Sequence, residues 1–128
     1  MYTFQYTVGD WSNDGHGQTD VFFLKSSETA QDLNAAFKAG VKVIGHDVTS
    51  MCDGYEDNTI PEEVAQAFID VGVEFDEPYE GEVWVGPENI MDMVIATIKA
   101  GNPNITLEIV NCEDLAHTIG SVGYGCYS

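Results

Sequence analysis

The chain has 128 residues, of which 44% are hydrophobic, 22 are acidic and only 4 are basic, so its formal net charge is −18. This length suits one globular domain covering residues 1–128, and the hydrophobic fraction argues against disorder. Nucleic acid and membranes are disfavoured as direct partners, because both need clustered lysine and arginine, and the chain contains no arginine.

The cysteines and the first residues predict a cytoplasmic location. Residues 1–8 have neither the positive charge nor the long apolar run of a secretion signal. The longest aliphatic stretch, at residues 93–98, is much shorter than the roughly 20 residues of a membrane-spanning helix. Cys52, Cys112 and Cys126 form an odd set without close spacing, which indicates neither a disulfide framework nor a structural zinc site.

Two strands open the chain. Residues 2–8 alternate between apolar and polar side chains, which is the period of a half-buried strand. A polar turn over residues 9–19 separates them from a second strand at residues 21–24. The sequence therefore predicts an antiparallel hairpin with a long loop.

Three helices are predicted next, at about residues 30–39, 61–71 and 87–100. Gly40 suits the position after the end of the first helix, and Pro61 suits the first turn of the second. Glu62 and Glu63 are explained by the positive end of the dipole of the second helix.

Short strands are predicted between the helices and near the end of the chain, at residues 41–44, 73–75, 82–85 and 105–109. A short helix over residues 113–119 and a terminal strand rich in glycine and tyrosine complete the chain. The sequence thus predicts an α+β fold, in which a mixed or antiparallel sheet starts with the N-terminal β-hairpin and packs against three main helices.

The first candidate metal site is the polar loop at residues 10–20. Asp10, Ser12 and Asp14 alternate and precede a glycine, as in the first half of a calcium-binding loop, and His16 adds a ligand for a transition metal. The glutamate that the second half requires is missing, since Val21 occupies its position. The same residue types are typical of a hairpin turn, so both interpretations stay open at this point.

The second candidate site is the loop at residues 46–57, where His46 and Asp47 are followed by further carboxylates. These groups can ligate a divalent cation, although no recognised ligand spacing is present. Cys52 could pair with His46 or His16 as a nucleophile and base, but the surrounding carboxylates oppose formation of a thiolate. As an alternative function, the two loops predict a metal-dependent binding module or hydrolase.

The distribution of charge between residues 43 and 98 is the third candidate feature. This stretch contains no lysine or arginine, and its carboxylates are interleaved with aromatic residues at 74–82. A solvated face normally carries both signs, because crowded like charges reduce stability, so the pattern indicates a functional anionic surface. Its predicted partner-binding residues are Asp53, Glu56, Asp57, Glu74, Asp76, Glu77, Glu80 and Glu82, with Tyr55, Tyr79 and Trp84 as apolar anchors.

In charge and size alone, the chain resembles the small acidic inhibitors of nucleic-acid enzymes that phages and mobile elements encode. The resemblance implies a non-enzymatic protein, without a cofactor, that occupies the basic surface of a nucleic-acid-binding or host-defence protein. Carboxylates can act there as substitutes for the phosphates of nucleic acid. A third interpretation is adaptation to high salt, in which case the acidity reports on the environment and not on the function.

Overall fold

The computed structural model describes residues 2–9, 19–48, 59–110 and 117–122. Its helices combine with two sheets in which most strand pairs are antiparallel, which confirms the predicted α+β class. In chain order the elements are β1 (Tyr2–Gly9), β2 (Thr19–Ser26), α1 (Ala30–Ile44), β3 (Thr59–Pro61), α2 (Glu62–Ile69), β4 (Glu82–Trp84), α3 (Pro87–Gly101), β5 (Leu107–Val110) and β6 (His117–Val122).

A four-stranded sheet contains the predicted N-terminal hairpin. β1 and β2 are antiparallel, with Tyr2 opposite Ser26. β5 pairs with β2 in the antiparallel sense and β6 pairs with β1 in the parallel sense, so the sheet is mixed and has the order β5-β2-β1-β6. Phe4 and Leu24 lie directly opposite each other, and both are buried. Two apolar positions of the alternating pattern, Phe4 and Tyr6, therefore face the core.

α1 and α3 pack closely because glycines let their backbones approach. A Cβ atom added to Gly40 would overlap the carbonyl of Thr97, and one added to Gly101 would overlap the carbonyl of Ala36. The two helices therefore run in opposite directions at this contact. Thr97 is fully buried, and its hydroxyl is satisfied by donating to the Met93 carbonyl at 2.7 Å.

The end of α1 differs from the sequence prediction. Residues 41–44 continue the helix and do not form a strand. The helix ends at Gly45, which has a left-handed φ of 88° and donates its N–H to the Val41 carbonyl at 2.8 Å. Gly40 lies inside the helix because it is the point of contact with α3, and this packing overrides the strand propensity of the valines that follow.

The predicted strand at residues 73–75 is also wrong. α2 ends at Ile69, and the chain turns through Gly72, whose φ is 100°, so that the Val73 N–H donates back to the Phe68 carbonyl at 3.0 Å. The strand that pairs with β4 is β3, where Ile60 lies opposite Val83 and both are buried. Three residues that include a proline carry no detectable period, so β3 could not be predicted.

Near the end of the chain, residues 117–119 belong to β6 and not to the predicted helix at 113–119. β6 covers the edge of β1 that the hairpin leaves open, and this pairing outweighs the weak helical pattern of a short segment. Residues 113–116 and the predicted terminal strand lie outside the described residues.

The buried apolar side chains form one cluster to which the four-stranded sheet, the helices and the β3–β4 pair contribute. α2 contributes Val64, Ala65 and Phe68 to this core, so its other side faces outward. Among the helices of the described ranges, none combines the length and the apolar character that a membrane span needs.

Candidate partner-binding surface

Most of the exposed carboxylates of the described residues lie in a stretch of the chain that contains no lysine. Lys25 lies on β2, Lys38 and Lys42 lie on α1, and Lys99 lies in the last turn of α3. Most of the exposed carboxylates occupy α2, the segment between α2 and β4, β4 itself and the start of α3. We call this set the acidic surface: Glu62, Glu63, Asp70, Glu74, Asp76, Glu77, Glu80, Glu82, Glu88 and Asp92.

A tight turn joins the segment after α2 to β4. Tyr79 and Glu82 exchange two backbone hydrogen bonds, of 2.8 and 3.1 Å, and the two residues between them have φ values of 52° and 80°. Positive φ at both central positions is typical of a type I′ turn. The Gly81 carbonyl also accepts a hydrogen bond from the Glu62 N–H at 3.0 Å, so the turn is attached to the start of α2.

This turn presents two aromatic rings beside a carboxylate. Tyr79 pairs with Glu82, and Trp84 lies two residues further along β4, on the same face. Tyr79 is 77% exposed and Trp84 is 51% exposed. A Cβ atom at Gly86 would overlap the indole of Trp84, so the glycine allows this ring to lie against the main chain. The hydroxyl of Thr59 donates to Oε2 of Glu82 at 3.0 Å, and this hydrogen bond restricts the orientation of that carboxylate.

A groove of about 670 Å³ lies between α2 and the segment that follows it. Its apolar lining includes the buried Ala65 and Val83, the half-buried Phe75 and the 44% exposed Ile69. Its polar lining consists of Glu62, Glu63, Gln66, Asp76 and Glu77. The groove therefore combines apolar contact area with surrounding negative charge.

The carboxylates of Asp92, Glu88 and Glu74 lie near one another around the start of α3. Partial desolvation, followed by the charges of Glu88 and Glu74, raises the pKa of Asp92 above its ordinary value. Asn89 connects this region to the segment after α2: its side-chain oxygen accepts from the Gly86 N–H at 2.9 Å, and its amide donates to the Glu74 carbonyl at 3.1 Å. The fold thus keeps like charges close together.

The structure brings part of the predicted partner-binding set together. The members that lie on or beside the acidic surface are Glu74, Asp76, Glu77, Tyr79, Glu80, Glu82 and Trp84. The members outside the described residues are Asp53, Tyr55, Glu56 and Asp57. The sequence interpretation missed Ile69 and Phe75, and it assigned Glu62 only to the helix dipole. One signal in the sequence could have indicated this apolar surface. Ile69 follows Glu62 by seven residues, so the two lie on the same face of the helix, and an apolar residue interrupts an otherwise polar face.

The predicted metal ligands are only partly described. Asp10, Asp14 and His16 lie outside the described residues, whereas His46 and Asp47 are half-buried just after α1. Asp47 lies near Tyr6, whose pKa is raised by burial and secondarily by that carboxylate. Among the residues that the structure describes, no three His, Cys, Asp or Glu side chains are grouped so that they could hold a metal ion. A divalent cation at these loops stays a prediction, which calorimetric titration with calcium, magnesium, manganese and zinc tests.

The chain was also compared with known proteins. Neither the models of protein families, nor the curated proteins, nor the solved structures give a match to it.

Proposed function

We propose that this is a non-enzymatic interaction protein whose acidic surface binds a basic surface of another protein. The partner is a nucleic-acid-binding or host-defence protein, and the chain inhibits it by covering the surface that nucleic acid would occupy. The observation that carries the proposal is the presence of the exposed rings of Tyr79 and Trp84 among carboxylates in a stretch without lysine.

The two kinds of side chain have different roles in such a complex. The carboxylates attract and orient a cationic partner, which raises the association rate and selects against acidic proteins. Affinity comes mainly from a few large side chains buried at the centre of an interface, and tryptophan and tyrosine are enriched among them. Tyr79 forms a strand bridge with Glu82, and Trp84 lies two residues beyond Glu82 on β4, so anchors and charge are close together.

A need for solubility alone does not explain why aromatic rings are exposed among the carboxylates. A surface that serves only solubility mixes charges of both signs and exposes few aromatic rings. Here an indole and a phenol are held outward, the first against Gly86 and the second by the tight turn. Apolar groups clustered within a charged rim are typical of a binding surface.

The proposal is tested by comparing two variants with the same change in net charge. In the surface variant, Glu74→Gln, Glu80→Gln and Glu82→Gln remove three charges from the acidic surface. In the control variant, Glu28→Gln, Asp32→Asn and Glu108→Gln remove three charges from the connection after β2, from α1 and from β5. Each protein is immobilised, incubated with an extract of the source cells, and washed with duplex DNA or with salt.

We expect the wild type and the control variant to retain the same proteins and the surface variant to lose them. Because the complex uses the partner's nucleic-acid surface, duplex DNA should displace these proteins. Retention should also fall steeply between about 50 and 500 mM salt, since salt screens exposed charges. Equal losses from both variants would show that only net charge matters. Retention that is indifferent to DNA and salt would likewise contradict the proposal.

A further inference from the structure

We infer that the groove between α2 and the segment after it binds a segment of the partner in which large apolar side chains are flanked by lysine or arginine. This inference rests on the proposed function and specifies which part of a basic partner enters the site. It differs from the proposal in its location, because the groove is lined by Ile69 and Phe75 and not by Tyr79 and Trp84.

The apolar part of the occupant follows from the size and lining of the groove. Its volume of about 670 Å³ lies within the range of about 300–1,000 Å³ that is typical of ligand pockets, so it can hold two or three side chains. Ile69 is 44% exposed although α2 buries other apolar residues in the core, and Phe75 is half-buried. An apolar side chain placed between them would remove this surface from water, which is favourable.

The charged part of the occupant follows from the rim. Glu62 and Glu63 lie in the first turn of α2, and Asp76 and Glu77 lie on the segment across the groove. Cationic side chains on both sides of the apolar insertion would therefore meet carboxylates on both sides. A purely apolar segment would leave these charges partly desolvated and unpaired, and an acidic segment would be repelled. Charge complementarity thus selects a cationic amphipathic segment.

The probes are three synthetic peptides of equal length, titrated into ¹⁵N-labelled protein and followed by NMR. The first has two leucines between two pairs of lysines, the second has serines in place of the leucines, and the third has glutamates in place of the lysines. We expect the leucine peptide to shift the backbone signals of Gln66, Ile69 and Phe75. It should bind about tenfold more tightly than the serine peptide, because it buries apolar area in the groove. The glutamate peptide should not bind.

Two matched variants distinguish binding of the peptide in the groove from a general attraction between opposite charges. Ile69→Ser should abolish the preference for leucine over serine, because it removes an apolar wall. The control is Val43→Ser, which replaces a valine that is 66% exposed on α1 and should leave the preference unchanged. Ile69 and Val43 are both exposed, so both variants should keep the dispersed NMR spectrum of the wild type.

The outcomes distinguish this inference from the proposed function. The inference is wrong if the leucine and serine peptides bind equally, or if Val43→Ser removes the preference as strongly as Ile69→Ser does. It is also wrong if raising the concentration of the protein alone shifts the same signals, since the groove would then hold a second copy of the chain. In each case the proposed function stands if captured partners still depend on Glu74, Glu80 and Glu82. The proposed function fails, whatever the peptides show, if capture of the partners does not depend on these three glutamates.

Discussion

The side-chain amide of Asn89 donates a hydrogen bond to the main-chain carbonyl of Glu74 at 3.1 Å. Asn89 lies in the first turn of α3 and also caps that turn by accepting from Gly86. Glu74 lies just before Phe75, which lines the groove. One side chain therefore links the start of α3, which is packed in the core, to the segment that forms one side of the proposed binding site.

Asn89→Ala should lower the free energy of unfolding by about 1–2 kcal/mol, because it removes both a helix cap and a link to the preceding segment. Urea unfolding measures this loss. The control is Asn34→Ala on the exposed face of α1, which should be neutral or stabilising by up to about 0.5 kcal/mol, since alanine favours helices. Equal effects of the two changes would show that the hydrogen bonds of Asn89 do not contribute.

Gly40→Ala should destabilise the protein by at least about 2 kcal/mol, because the added methyl group overlaps the Thr97 carbonyl and forces α1 and α3 apart. In an uncrowded helix the same change would stabilise by about 1 kcal/mol. Unfolding by denaturant therefore tests both the sign and the size of the change in the free energy of unfolding. The neighbouring exposed Ala39→Gly should cost no more than about 1 kcal/mol. A more stable Gly40→Ala variant would contradict the close contact between the helices.

Adjacent residues of α2 should respond very differently to truncation. Phe68 is fully buried, so Phe68→Ala should cost about 3–5 kcal/mol through lost burial and a cavity. Ile69 is 44% exposed, so Ile69→Ala should cost less than about 1 kcal/mol. Unfolding in urea compares the two variants. A loss at Ile69 similar to that at Phe68 would mean that Ile69 serves the core and not the groove.

Asp92→Asn should raise the melting temperature at pH 7. The pKa of Asp92 is raised in the folded state, first by partial desolvation and then by Glu88 and Glu74, so the folded protein holds this proton more tightly than the unfolded chain. The stabilisation by protonation is complete below the ordinary pKa of aspartic acid, about 3.9, and is lost as the pH rises through the raised value. The advantage of the variant should therefore disappear near pH 3.

The control for Asp92→Asn is Glu108→Gln on β5, which lies outside the acidic surface. Its melting temperature should differ little from that of the wild type at both pH values. A variant Asp92→Asn that melts lower than the wild type at pH 7, or whose advantage persists at pH 3, would show that this carboxylate is not under repulsion.

Signals carried by neighbouring residues could be interpreted correctly from the sequence. α1 begins at residue 30 as predicted, and the hydroxyl of the preceding Thr29 accepts from the Asp32 N–H at 3.3 Å. The alternation along β1 predicted burial of Phe4 and Tyr6, which is confirmed. These features depend on spacings of two to four residues, where local geometry determines the contact.

Features that depend on distant residues could not be predicted in this way. Gly40 looked like the end of a helix, but its role is set by Thr97, which lies 57 positions later. The groove joins α2 to Phe75 and Val83, and although Ile69 interrupts the polar face of α2, the sequence does not show that these two distant residues lie beside it. The acidic stretch was apparent from composition, whereas its apolar groove required the coordinates.

The stretch from α2 to the start of α3 exposes ten carboxylates and contains no lysine, so this part of the molecule attracts positive charge. A cationic protein that approaches within a Debye length, about 8–10 Å at moderate salt, would feel this attraction before contact. The attraction would favour encounters in which the acidic surface meets the partner first. Part of the rotational search is then completed during diffusion, and productive collisions become more frequent.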